Sequence, residues 1–347
     1  QPAPKTRWLR CILSRLHKEN LIMIKHWLIV LLTISPSVFG QEFSDYLAEV
    51  RRAAIEKGIS SSTVDSAFQD LVPDERVIGF DRRQPEFVQT FDEYLDARVS
   101  DFRQREGRRL FRKHASLLAD IEQTYQVDAA FVVSFWGLET SFGRYQVNYS
   151  IIRSLATLGH DPRRSAFFTT ELVQALRILD EQHIDPEQFV GAWAGAMGQA
   201  QFMPSSFLAF AVDWDGDGRK DIWHSRADVF ASIANYLRQA GWRLGEGWGK
   251  ANNRVIGDWS ALREVEPDSR CRALRDHTRK FSLDFWDKAG FDVSKLNAGQ
   301  NYALVIPRPV DRRYYLVGGN FRTILSYNCA NKYAVSVGLL ADRILIN

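Results

Sequence analysis

Cysteine is scarce in this chain: Cys11, Cys271 and Cys329 are the three in 347 residues. No Cys and His fall at a spacing that suggests zinc or a thiol nucleophile, so neither chemistry is expected. Long apolar runs are missing too. The run at 27–34 is far short of the roughly 20 residues that span a bilayer. Charge of one sign is also lacking. The formal charge is +3, but six of the 45 Lys and Arg and one of the 42 acids precede residue 41, leaving 39 against 41 and a net −2 thereafter. A chain without basic excess has little electrostatic support for a nucleic-acid partner, and none is expected. Neither a P-loop nor a dinucleotide fingerprint is present, which argues against phosphate cradling. There is no internal repeat, low-complexity tract or long linker.

The leading residues differ from the rest. Residues 1–22 carry Lys5, Arg7, Arg10, Arg15 and Lys18 without a starting Met, whereas Met23 and Lys25 precede the apolar run and the small-residue stretch ending at Gly40. That is the layout of a signal peptide. The expectation is upstream sequence at 1–22, a signal peptide at 23–40, and export to the periplasm. No Cys stands at the cut, so a soluble protein is expected rather than a lipoprotein, with peripheral outer-membrane association left open. In an oxidising compartment Cys271 and Cys329 could pair, a bond worth roughly 4 kcal/mol over such a loop. Sequence leaves the pairing open.

From Phe43 to about Tyr125 apolar residues recur at helical spacing, interrupted by a surface connection at 71–85. Further helices are expected at 165–180, 204–212 and 227–240, with a last one from Asn331. Segments 302–306 and 314–317 read as strands. The division expected is a helical part at 41–125, a core at 126–242 and 318–347, and a small strand-containing insertion at 243–317.

Glu139 is a lone carboxylate within an apolar helix. At helical spacing Val132, Phe135, Trp136, Glu139 and Phe142 share one face. Burial there disfavours the charged form, and a carboxyl so raised can act as a general acid near neutral pH. The other reading is a helix-edge Glu paired with Arg144. Asp128 fits an N-cap for this helix and Gly143 its stop.

The glycine-rich turn from Gly191 to Pro204 is either a structural tight turn or a place where a polymer approaches the backbone, with Gln199 or Gln201 presenting an amide. Asp213, Asp215, Asp217 and Asp221 occupy positions 1, 3, 5 and 9 of a calcium-type loop with Gly218 at position 6, and Arg219 offers its carbonyl at position 7. Position 12 holds His224 instead of Glu, so the closing ligand must come from elsewhere, and Asp228 is the nearest downstream acid. A structural Ca2+ ion is expected there, and no organic cofactor.

Several motifs in one order resemble the lytic murein transglycosylase B family, glycoside hydrolase family 103. They are Gln84-Pro85-Glu86-Phe87 with Phe91 and Tyr94, Gly137-Leu138-Glu139 through Gly143, Pro162-Arg163-Arg164, Gly195-Ala196-Met197-Gly198 with Gln201 through Ser206, the aspartate loop, Asn235-Tyr236, Tyr327-Asn328 and Tyr333-Ala334. The resemblance implies a mainly α, α+β fold: a lysozyme-like helical core with a helical N-terminal part and a small inserted β part. It implies cleavage of the β-1,4 bond between N-acetylmuramic acid and N-acetylglucosamine in peptidoglycan, forming a 1,6-anhydro ring with Glu139 as acid and then base. By the same resemblance Gln201, Tyr236, Tyr327 and Tyr333 line the glycan cleft, Arg163 or Arg164 meets peptide or lactyl carboxylates, and Tyr94 belongs to the same wall. A monomer is implied, with cell-wall synthesis or remodelling proteins as candidate partners. Ala192 stands where the family often has Ser, and Cys329-Ala330 depart from its usual small residue and Ser. The alternatives are a hydrolytic muramidase, which needs a second free carboxylate, and a non-catalytic peptidoglycan-binding protein.

Overall fold

The computed structural model describes residues 37–82, 89–145, 147–253, 255, 257–263, 271–306 and 313–346. Residues 1–36, which hold most of the expected leader, and the motif at 84–87 lie outside the described residues. The chain divides into a unit ending at Glu49 and a unit from Val50 onward. The described part of the first is the start of helix α1 (Ser37–Glu56), where the Phe43 and Tyr46 rings lie 6.2 Å apart.

The second unit is mostly helical. After α1 come α2 (Ser61–Phe68), α3 (Glu75–Arg82), α4 (Phe91–Arg98), α5 (Asp101–Lys113), α6 (Ala115–Tyr125), α7 (Ala129–Thr140), α8 (Ile151–His160), α9 (Ser165–Asp180), α10 (Pro204–Phe210), α11 (Arg226–Gln239), α12 (Leu283–Lys288), α13 (Gly319–Tyr327) and α14 (Asn331–Leu345). Strand β1 (Tyr149–Ser150) pairs antiparallel with β2 (Val190–Gly191). Strands β3 (Gly249–Asn253), β4 (Ala303–Val305) and β5 (Arg313–Val317) form an antiparallel sheet in the order β3-β5-β4. The connection expected at 71–85 instead contains α3, where Val77 is buried and anchors the turn.

Helix α7 is the hub, packing against α5, α6, α11 and α14. Its residues from Ala129 to Leu138 are all buried, so it carries no one-sided apolar stripe. A helix apolar all round belongs inside a body. Its start also departs from expectation. Asp128 makes no side-chain cap; its carboxylate accepts from Trp242 Nε1 at 2.8 Å, while Glu122 Oε2 caps the Ala129 N–H at 2.6 Å. Glu122 is one helix earlier and reaches back to the orphan donor, which frees Asp128 to fasten the Trp242 turn.

The inserted sheet has its own small core. Trp286, Phe291, Tyr302, Leu304, Ile306, Tyr314 and Leu316 cluster there. Along β5 alternate residues point to opposite faces, so Tyr315 leaves that cluster and stacks on Phe91 of α4 at 5.4 Å. Cys271 and Cys329 are disulfide-bonded, their Cα atoms 5.4 Å apart. The bond joins the insertion to the turn between α13 and α14.

Candidate active site

Glu139 is the penultimate residue of α7 and is half-buried, unlike the ten sealed residues before it. The chain reverses at once, with Ser141, Phe142 and Gly143 at φ 52°, 64° and 74°. This tight return brings the Phe142 ring onto Gly137, where an added Cβ would lie 2.5 Å from it. Any side chain at 137 would push the return loop away from Glu139.

Three tyrosines converge from other helices. Tyr333 of α14 donates its hydroxyl to Glu139 Oε1 at 2.5 Å. Tyr327 of α13 donates to the Ala200 carbonyl, and Tyr236 of α11 to the Ser326 carbonyl at 2.7 Å. The Tyr236 and Tyr327 rings meet edge-on at 4.7 Å, and Phe135 packs 4.7 Å from Tyr327. Tyr94 on α4 is half-buried and acts electrostatically on Tyr333, with the Arg98 guanidinium 5.2 Å from its ring.

Burial pushes the Glu139 carboxyl up to about 7, against the Tyr333 hydrogen bond and the charge of Arg98, which both favour the carboxylate. Burial, and then the negative charge of Glu139, holds the Tyr333 and Tyr327 phenols well above their ordinary value. They therefore remain donors at any physiological pH. Among the described residues, the groups shifting Glu139 are Tyr333 and Arg98, with no second carboxylate. The sequence reading passed over Arg98, although it sits one helical turn from Tyr94 on the same face.

The glycine turn forms one wall. Gly191 bridges Met197, and Met197 bridges Phe202. A Cβ at Gly198 would meet the Ile222 carbonyl at 2.6 Å, so this turn is tight for structural reasons. Gln199 is buried and locked, accepting from Trp136 Nε1 at 2.8 Å and donating to the Trp223 carbonyl at 2.5 Å. Gln201, in a left-handed conformation at φ 51°, lines a cleft of about 200 Å³ with Thr140, Tyr145, Asn148 and Gly191. Both amides the sequence offered line this cleft; Gln201 is the more exposed of the two, and its Nε2 donates to the Gly198 carbonyl at 2.8 Å.

Arg163 and Arg164 are not gathered here. Arg163 pairs with Asp81 at 2.7 Å and Asp161 at 3.0 Å, and Arg164 lies 3.6 Å from Asp81. The aspartate loop is partly as expected. Oxygens of Asp213, Asp215 and Asp217 lie within 4.8 Å of one another. Asp221 and Asp228 stand outside that group. Asp221 Oδ1 accepts from the Trp223 and His224 amides, and Asp228 accepts from the Trp214 amide at 2.8 Å and the Asp221 amide at 2.7 Å. Asp228 is thus a buried brace for the loop, a role its distance along the chain did not reveal. The Arg219 side chain turns to Asp185 at 3.3 Å. Three close, partly exposed carboxylates are a donor set suited to a hard cation.

Removing the Tyr333 hydroxyl tests the central contact. In Tyr333→Phe the carboxylate loses a donor, so the Glu139 pKa rises further and the alkaline limb of the pH–rate profile moves upward. Turnover falls about tenfold because the carboxylate form is less well held. A limb that stays in place would show that the bond does not tune Glu139.

The chain belongs to the transglycosylase SLT domain family, which it matches over residues 42–342. It is 32% identical over 228 residues to the membrane-bound lytic murein transglycosylase B of Escherichia coli K12, covering 65% of this chain and 59% of that protein. More than a third of that relative therefore lies outside the aligned region. Among solved structures, SltB3 of Pseudomonas aeruginosa in complex with NAG-NAM-pentapeptide superposes with a TM-score of 0.78 at 37% identity, covering 86% of this chain and 79% of that one. Escherichia coli Slt35 in complex with calcium gives 0.70 at 26%, covering 86% and 92%. The mainly helical, lysozyme-like α+β fold implied by the resemblance is borne out.

Proposed function

We propose that this chain is a lytic transglycosylase that cleaves between N-acetylmuramic acid and N-acetylglucosamine in peptidoglycan. The observation that carries this reading is a single half-buried carboxyl, Glu139, raised to about 7 and held by Tyr333 with no second carboxylate acting on it among the described residues. Hydrolysis by glycosidases ordinarily employs two carboxyl groups. With one, the same group must give a proton and later take one. Protonated Glu139 donates to the bridging oxygen as the bond from it to the muramic C1 breaks. The muramic O6 then bonds to C1, and its proton passes to the Glu139 carboxylate. No water is consumed and Glu139 ends protonated, ready to repeat. Tyr333 holds the carboxylate between the two transfers. Tyr236, Tyr327, Tyr94 and Gln201 serve as the glycan-facing wall. The test is mass spectrometry of the products from purified peptidoglycan: chains lighter by one water than their hydrated equivalents support the reading, and hydrated reducing ends make it a muramidase.

The division into a helical part at 41–125, a core at 126–242 and 318–347, and an insertion at 243–317 remains part of this proposal, as do the signal peptide at 23–40, periplasmic location and a monomeric state. The Cys271–Cys329 disulfide supports an oxidising compartment. No helix among the described residues is long and apolar enough to cross a membrane.

Asp213, Asp215 and Asp217 with the Arg219 carbonyl are proposed to hold Ca2+ as a structural ion. Its role is to neutralise the loop's charge. Calcium at about 100 times its Kd should stabilise the protein by roughly 2.7 kcal/mol. Calorimetry should show that gain reversed by a chelator and absent in Asp213→Asn. Equal melting with and without calcium would remove the ion from the proposal.

A further inference from the structure

The cleft does not end at Gln201. Asn148 lines both the cleft beside Thr140 and a second cavity of about 460 Å³, whose other walls are Asp74, Arg76, Tyr149, Ser150, Arg153 and Ser154. At that end an unusual set of rings reaches the surface. Phe80 of α3 is 43% exposed, a large apolar area for a residue with no place in the core. Its ring stands edge-on to Tyr149 at 6.1 Å and tilted to Trp193 at 6.1 Å, and both of those side chains are half-buried. The Arg76 guanidinium lies 5.7 Å from the Tyr149 ring centre and is held by Asp74 at 2.6 Å. Exposed Arg153 completes the rim.

We infer that Phe80, Tyr149 and Trp193 form a remote sugar-binding shelf that stacks a further N-acetylated sugar of the same glycan strand, at a distance from the bond being cut. The inference rests on the transglycosylase reading for its occupant. Flat aromatic surfaces suit the apolar faces of pyranose rings, whereas a purely structural trio would be sealed. The cavity beside the shelf shares Asn148 with the cleft lined by Gln201 and by Thr140, the residue that follows Glu139, so one strand can run from the shelf toward the acid. Exposed Arg153, beside the Arg76–Asp74 pair, leaves net positive charge where a muramic lactyl or peptide carboxylate would hang beside a stacked ring. Binding energy gathered there, away from the reacting atoms, orients a long strand and leaves a short one unaffected.

The experiment compares catalytic efficiency on purified glycan strands and on a tetrasaccharide for the parent, Phe80→Ala and Phe80→Trp. In Phe80→Ala the ratio of long-strand to tetrasaccharide efficiency should fall about tenfold, and Phe80→Trp should restore it. An unchanged ratio overturns the shelf. Titration of long strands into the Glu139→Gln protein, with and without Phe80→Ala, separates this from the functional reading. Weaker binding by about tenfold on loss of Phe80 supports the shelf even if the parent releases no anhydro product. Equal binding with normal cleavage refutes the shelf and leaves the transglycosylase reading standing.

Discussion

Glu139→Gln is expected to lower release of soluble products from peptidoglycan by at least about 1,000-fold and, at pH 8, to raise the melting temperature. The first effect follows from removing the only proposed acid and base while keeping its volume. The second follows from linkage. Glu139 titrates at 4.5 when unperturbed and at about 7 in the fold. The folded chain thus binds this proton more tightly than the unfolded chain does. Stability from that group is fully present below pH 4.5 and is lost as pH rises through 7. Above pH 7 the buried carboxylate costs the fold about 2 kcal/mol, allowing for its partly open surface, and Gln carries no such charge. The parent's activity should fall over the same interval, because the reaction starts from the protonated form. Paired melting curves and rates from pH 5 to 9 check both effects. Sustained product release by Glu139→Gln would remove Glu139 from the mechanism.

Replacing Cys271 and Cys329 together by Ser should lower stability by about 4 kcal/mol, close to 6 °C in melting temperature for a chain of this size. The bridge closes a loop of 58 residues. Its loss acts chiefly by letting the unfolded chain expand. The active site itself has other fastenings at this point. Asn331, the first residue of α14, is gripped by His277 Nε2 at 2.8 Å and donates to the Ala273 carbonyl at 2.9 Å. Turnover well below the transition should therefore stay within about twofold of the parent. Calorimetry with and without reductant should show the parent falling to the level of the double variant. A parent indifferent to reductant would mean that the bridge contributes nothing.

Glu139 was legible in the sequence because a single acid among ten apolar or small neighbours has few explanations. Helix α9 was legible to the residue, since 165–180 has a regular apolar period and clear ends. The tyrosines were not legible from spacing. Tyr236, Tyr327 and Tyr333 come from three helices and meet only in the folded body, so family resemblance alone singled them out. Asp128 shows the opposite failure. It is a good capping residue at a helix start, but Trp242 and Gly245 compete for its oxygens from far along the chain. Asp228 likewise looked like a ligand because sequence shows which acids are near along the chain, and not which of them bring their oxygens together in the loop. Arg163 and Arg164 both lie against Asp81, an acid more than 80 residues earlier whose pairing with them has no local signature.

The end of α7 has an electrical consequence of its own. Peptide dipoles sum along a helix to leave roughly half a negative elementary charge at its C-terminus. Glu139 sits at that pole of a helix buried along its length, where little water screens the field. The pole resists a second negative charge, which helps keep a proton on the acid. When the bond breaks and the sugar ring becomes cationic, the same pole attracts it. One stretch of backbone thus favours both the state before cleavage and the state during it, with no side chain having to move.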